Sequence, residues 1–187
     1  DSFPHKLSQK TLYSGNWIKL NEITYEGKSH EQLKWESIER TNTTNTVVII
    51  GKMVPSNRYI LIKQYRPAID NYIIGFPAGL VEKGSLPENA LRELKEETGY
   101  TGRVKSVGIS LYSNAALLTD RIRVVKVEID ENLEENKNPK QNLEAAEDIE
   151  VIALKKEELK HFFLKEQANG TAIAMGPWYV FFGMEGI

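Results

Sequence analysis

One stretch, Gly79 to Tyr100, constrains this chain more than any other. It reads as a glycine-punctuated loop, a three-turn helix and a glycine stop. Ser85 is placed to cap the helix, with Glu88 three residues on in the capping-box pattern and Pro87 in the first turn. Gly99 ends it. Ala90, Leu91 and Leu94 are spaced for one apolar face. Glu93, Glu96 and Glu97 are related by i, i+3 and i+4, so they crowd on a second.

Carboxylates held that close repel one another and weaken a helix. A hard divalent cation relieves the repulsion, and Mg²⁺ favours carboxylate oxygen together with substrate phosphate. The plainer alternative is a solvated acidic face balanced by Arg92 and Lys95. What favours the metal reading is order: Gly79, then Arg92-Glu93-Leu94, Glu96-Glu97 and Gly99-Tyr100 form a pattern far more specific than clustered acids.

That pattern resembles the signature of the Nudix hydrolases, Gly-x5-Glu-x7-Arg-Glu-U-x-Glu-Glu-x-Gly-U, where U is bulky and apolar. The second half is matched from Arg92 to Tyr100. The first half is one residue short and lacks its early glutamate, with Ser85 or Gly84 standing there. The deletion belongs in the loop, because a residue lost inside the helix would rotate the glutamates away from the apolar stripe. The missing acid puts one outer contact of the metal cluster in question, with Glu82 as a candidate substitute.

At 187 residues and 41% hydrophobic content, the chain can bury a core, and one domain plus an appendage is expected. A net charge of −2 gives no general affinity for nucleic acid or an anionic membrane. With no cysteine, disulfides, zinc-thiolate sites and thiol catalysis are excluded. His5, His30 and His161 offer no paired ligand spacing. No apolar run approaches the roughly 20 residues that span a bilayer, and no signal-peptide core is visible. A cytoplasmic protein is the expectation.

Residues 1 to about 10 are polar and read as loose. Trp17–Tyr25 and Leu33–Arg40 alternate as strands around a turn at Gly27. Two or three strands alone are marginal, so this arm must pack on something else. Thr46–Met53 and Arg58–Tyr65 follow, joined by a hairpin at 54–57, and Ile73–Ala78 leads into the acidic helix. Val104–Leu111, Arg121–Ile129 and Ile149–Leu154 read as strands, and 130–142 as a surface loop. Lys155–Glu166 and Pro177–Phe182 read as helices. The fold class is α+β, an α/β/α sandwich with a mixed central sheet. Residues 1–43 form an N-terminal β-arm, to which the resemblance below assigns dimerisation and base binding, and 44–187 the hydrolase domain.

Beyond the signature, the chain is similar to the ADP-sugar pyrophosphatase branch, over about Leu12 to Leu159. Ser14–Leu20 with Lys34–Arg40, and Ile62–Pro67 with Phe76–Gly79, carry the resemblance. It implies a homodimer that exchanges its N-terminal strands and splits ADP-ribose or another nucleoside diphosphate sugar, using Mg²⁺ or Mn²⁺. Trp17 and Trp35 would sandwich the base, Glu36 and Arg40 would reach base or pyrophosphate, and Arg66 would clamp phosphate. Ala78 would offer its carbonyl to a metal beside Glu93 and Glu97, with Glu96 shared, while Arg92 orients the carboxylates. Glu147, just before the last strand, matches the late-loop glutamate that serves relatives as base or metal partner. Many ADP-ribose enzymes carry Pro-Gly where this chain has Ser113–Arg121. A GDP-mannose-selective enzyme, a dinucleoside polyphosphate hydrolase and a non-catalytic ADP-ribose sensor stay open as alternatives.

Overall fold

The computed structural model describes residues 4–183. In chain order the strands begin with β1 His5–Ser14, β2 Ile18–Glu26, β3 Gln32–Arg40, β4 Asn45–Val54, β5 Arg58–Arg66 and β6 Asn71–Gly75. They continue with β7 Ala78–Leu80, β8 Arg103–Val107, β9 Leu111–Tyr112, β10 Arg121–Asp130, β11 Ile149–Lys155 and β12 Ala172–Ile173. The helices are α1 Leu86–Thr98, α2 Glu134–Lys137, α3 Lys156–Ala168 and α4 Met175–Phe182. Contacts divide the chain into two compact units. The first takes in residues through Thr46, with Leu80–Glu82 and Ile109–Arg123; the second takes in Val47–Gly79, Lys83–Gly108 and Val124 onward.

The first unit is built on an antiparallel sheet in the order β1-β2-β3. Here the structure corrects the sequence reading: of the segment 1–10 expected to be loose, residues 1–3 lie outside the described residues and residues 5–10 belong to a ten-residue strand, His5–Ser14, paired to β2. The reason is physical. β1 lies at a sheet edge with every residue exposed, so polar side chains remain hydrated while the backbone is satisfied by β2. A hydrogen bond from Thr11 Oγ1 to Asn21 Oδ1 at 2.9 Å adds a cross-strand tie. The segment 114–120 runs beside β3, with Ile38 N–H donating to Leu117 O at 2.8 Å and Arg40 Nε paired to Asp120 Oδ2 at 2.8 Å.

The second unit is organised by a mixed sheet that runs β12-β6-β5-β4-β10-β8. β5 pairs antiparallel with β4, β6 and β11, while β12 lies parallel to β6. Alternation along the strands sorts the core into two layers. Leu61, Ile74 and Ile152 meet Leu159 and Phe163 of α3 and Phe181 and Phe182 of α4. Their strand neighbours Val47, Ile49, Ile60, Ile62, Val127 and Ile129 point to the other face, and Ala90 and Leu94 of α1 are likewise fully buried. Each buried Val, Leu, Ile or Phe among them contributes roughly 1.5–3 kcal/mol. Helices thus cover both faces of a mixed sheet, the α+β sandwich read from the sequence.

Two segments differ from expectation. The run 104–111 breaks into β8 and β9, because the pairing to β10 slips by one residue between Gly108, whose N–H donates to Val124 O at 2.8 Å, and Leu111, which lies opposite Ile122. The 130–142 loop contains the one-turn helix α2, whose Asn136 is buried and bridges Thr101 and Asp130 through its side chain.

Candidate active site

The acidic helix forms as its local chemistry dictates. Ser85 caps it, Glu88 returns its carboxylate to Ser85 N at 2.7 Å, and Pro87 lies in the first turn. The shortened stretch is therefore absorbed before the helix, in the loop. Asn89, buried and unnoticed in the sequence, secures that loop by donating Nδ2 to Lys83 O at 2.6 Å and Ser85 O at 2.8 Å. Gly99 closes the helix at φ 76°.

Within the second unit, the glutamates of α1 occupy different environments. Arg92 spans two of them, donating Nη2 to Glu93 Oε1 and Nη1 to Glu96 Oε2, each at 2.7 Å. Glu97 is 3% exposed and accepts one bond, from Ala78 N at 3.1 Å. Burial raises the Glu97 pKa to about 8; the Ala78 N–H opposes this, the Glu93 and Glu147 charges add to it, and the Arg66 charge lowers it. Burial raises Glu93 too, against the pull of Arg92. Glu147 and Arg66, expected at the site from the sequence, are thus close enough for their charges to act on Glu97.

Two features of this centre were not read from the sequence. Gly79 carries the Glu93 carboxylate on its open side: a Cβ added there would fall 1.9 Å from Glu93 Cδ. Gln141 ties the loop before β11 to α1, donating Nε2 to Glu97 O at 2.7 Å and Ile149 O at 3.0 Å. Asn142 N–H adds a bond to Glu96 O at 2.8 Å. The crossing is possible because Gly99 lacks a side chain, since a Cβ on it would meet Lys140 N at 2.4 Å and Lys140 C at 2.7 Å. At the far end of this loop the Tyr72 hydroxyl bonds the Asp148 carboxylate. Glu147 lies between these ties and accepts from Glu144 N at 2.8 Å.

Among the described residues, no three His, Cys, Asp or Glu side chains converge as a closed metal cage. Glu93 and Glu96 are turned to Arg92, and Glu97 to the Ala78 amide. The donor set nonetheless fits a hard divalent cation. It offers carboxylate oxygens, one pair of them buried on a carboxyl whose ionised form a cation would stabilise, beside a backbone held open by a glycine.

The residues expected to bind the base lie in the first unit. Trp17 is 77% exposed just before β2, and Trp35 is 49% exposed on β3 with its Nε1 donating to Ala116 O at 2.8 Å. The two rings make no contact with each other. Glu36 stands opposite Glu22 on the same strand pair, and Arg40 is engaged by the buried Asp120 carboxylate. Asp120 carried no mark in the sequence beyond its being one acid in a polar loop.

Residues 42–174 match the NUDIX domain. The chain belongs to the Nudix hydrolase family. An uncharacterized Nudix hydrolase of Schizosaccharomyces pombe is 34% identical over 92% of this chain and 89% of its own length. The ADP-sugar pyrophosphatase of Mus musculus is 32% identical over 81% of this chain and 73% of its own. A crystal structure of an ADP compounds hydrolase superposes with a TM-score of 0.66, covering 90% of this Nudix chain and 96% of the other; at 19% identity this likeness speaks for the fold. No helix among the described residues is long and apolar enough to cross a membrane.

Proposed function

We propose that this Nudix hydrolase splits the pyrophosphate of ADP-ribose and related nucleoside diphosphate sugars with water, using Mg²⁺ or Mn²⁺. The products are a nucleoside monophosphate and a sugar phosphate: a P–O bond to the bridging oxygen breaks, and water supplies the new P–O bond and the protons. The observation that carries this reading is Glu97, a buried carboxyl with a strongly raised pKa beside Glu93 on the signature helix. The mouse relative's activity as an ADP-sugar pyrophosphatase supports the substrate class.

Glu93, Glu97, Glu96 and the Ala78 carbonyl would hold the cation, which when bound neutralises pyrophosphate charge and polarises phosphorus. This chain's own residues do the rest. Arg92 keeps Glu93 and Glu96 oriented. Arg66, at the end of β5, presents its planar fork to a phosphate oxygen. Glu147, on the loop that Gln141 ties to α1, takes up the proton released as water attacks. In the first unit, Trp17 and Trp35 offer flat exposed faces for a base, with Glu36 and Arg40 beside them on β3. The chain acts as a homodimer through its N-terminal sheet, where β1 is an edge and Leu7, Leu12, Tyr13 and Ile18 are exposed.

A panel of ADP-ribose, ADP-glucose, GDP-mannose and a dinucleoside polyphosphate, assayed with Mg²⁺ and with chelator, tests the reading. ADP-ribose should yield phosphatase-sensitive sugar phosphate with metal alone, and Glu97→Gln should lose that activity while remaining folded. Turnover undiminished in Glu97→Gln would remove the assignment. Sedimentation of the purified chain tests the dimer.

A further inference from the structure

We infer that the second unit carries another ligand site, on the sheet face covered by α3 and α4, for a phosphorylated small molecule with a flat apolar body. A cavity of about 470 Å³ opens there, within the range that holds small ligands. Four lysines line it: Lys52 of β4, Lys105 of β8, Lys126 of β10 and Lys156 of α3. One carboxylate, Glu128, accompanies them, and it is already shared between Arg103 at 2.7 Å and Lys105 at 3.3 Å. Among the described residues neither Lys52 nor Lys126 has a carboxylate within ion-pairing distance; Lys52 Nζ lies 5.8 Å from the Tyr59 ring centre instead. In a chain of net charge −2, this convergence runs against the overall sign.

Strand parity separates this cavity from the glutamates of α1. Gly51 faces Ile60 and Ile129, on the layer that α1 shares, whereas Ile50 packs in the α3/α4 layer. Lys52 has the parity of Ile50, and Lys126 and Glu128 the opposite parity to Ile129, so they stand on the α3/α4 side. Lys156 opens α3 and places its ammonium at the same rim, while Glu157 and Glu158 of the first turn offset the positive end of the helix.

The composition selects the ligand. One shared carboxylate cannot hold a metal ion, and a concave pocket is not the extended stripe that tracks a nucleic-acid backbone. Ammonium groups serve a phosphate as point charges. The floor is apolar, from Ile50, Val54, Tyr59, Val180 and Phe181, and suits a ring. A nucleoside monophosphate has both parts.

AMP is the probe, titrated in EDTA into the full chain carrying labelled isoleucine and valine methyls, with adenosine and inorganic phosphate in parallel. The methyls of Ile50, Val54 and Val180 should shift saturably with AMP and stay in place with adenosine. Lys52→Gln combined with Lys126→Gln should weaken AMP roughly tenfold or more, with nucleotide-sugar turnover unchanged. No saturable shift, or equal AMP affinity in the double variant, would overturn the site. Inorganic phosphate binding as tightly as AMP would overturn the ligand class. The readout needs no turnover, so failure here leaves the proposed reaction standing.

Discussion

Gly79 and Glu93 occupy one another's space: the carboxylate lies where a side chain on residue 79 would begin, 1.9 Å from an added Cβ to Glu93 Cδ. Gly79→Ala must therefore expel Glu93 from its place beside Arg92. Hydrolysis should fall by about 10²-fold or more, while the circular dichroism spectrum and melting temperature change little. An alanine variant of full activity would show that Glu93 need not lie where it does.

The buried Glu97 carboxyl sets a pH dependence of stability in metal-free protein. Below pH 4.5 it is protonated in both states; from there to about pH 8 the unfolded chain ionises it while the native fold keeps it neutral. The unfolded state then binds fewer protons, so stability falls with rising pH, by up to about 1.4 kcal/mol per pH unit, and levels above pH 8. Melting in EDTA across pH 5 to 8 should show this fall, and Glu97→Gln should flatten it.

Cation binding has the reciprocal consequence. A divalent ion stabilises ionised Glu97, so binding below pH 8 expels a proton and tightens as pH rises. Titrating Mg²⁺ or Mn²⁺ calorimetrically in buffers of different ionisation enthalpy should reveal release of about one proton near pH 6. Glu97→Gln should abolish the buffer dependence. Adding EDTA to the loaded enzyme should reverse both binding and activity.

Gln141 is a positioning residue. Replacing it with alanine frees the Glu97 and Ile149 carbonyls and unties the loop that bears Glu147. The expected outcome is a turnover number reduced about tenfold or more, with KM nearly unchanged. Stability should drop by about 1–3 kcal/mol, for two lost hydrogen bonds. Steady-state kinetics beside a denaturant titration separate the two effects.

The acidic helix was legible in the sequence because its cap, stripe and stop lie within one short stretch, where local chemistry decides. Ser85, Glu88 and Gly99 act in the structure as read. β1 was not legible, since an edge strand exposed on every residue needs no apolar alternation to be satisfied. Gln141 and Asn89 were missed for another reason: their partners are backbone carbonyls, which every residue carries and which leave no pattern. Asp120 became visible as the partner of Arg40 when the fold brought residues 80 apart together. The lysines of the second cavity likewise come from four separate elements and share no motif.

The crossing of Pro139 and Lys140 over Gly99 is a contact of main chain on main chain. The clash at Gly99 is with backbone atoms of residues 139 and 140, and a change in the number of residues spanning the crossing would shift Glu147 relative to Glu97. An insertion or deletion between residues 139 and 147, rather than a change of side chain at 139 or 140, is therefore what would disturb the placement of this loop on α1.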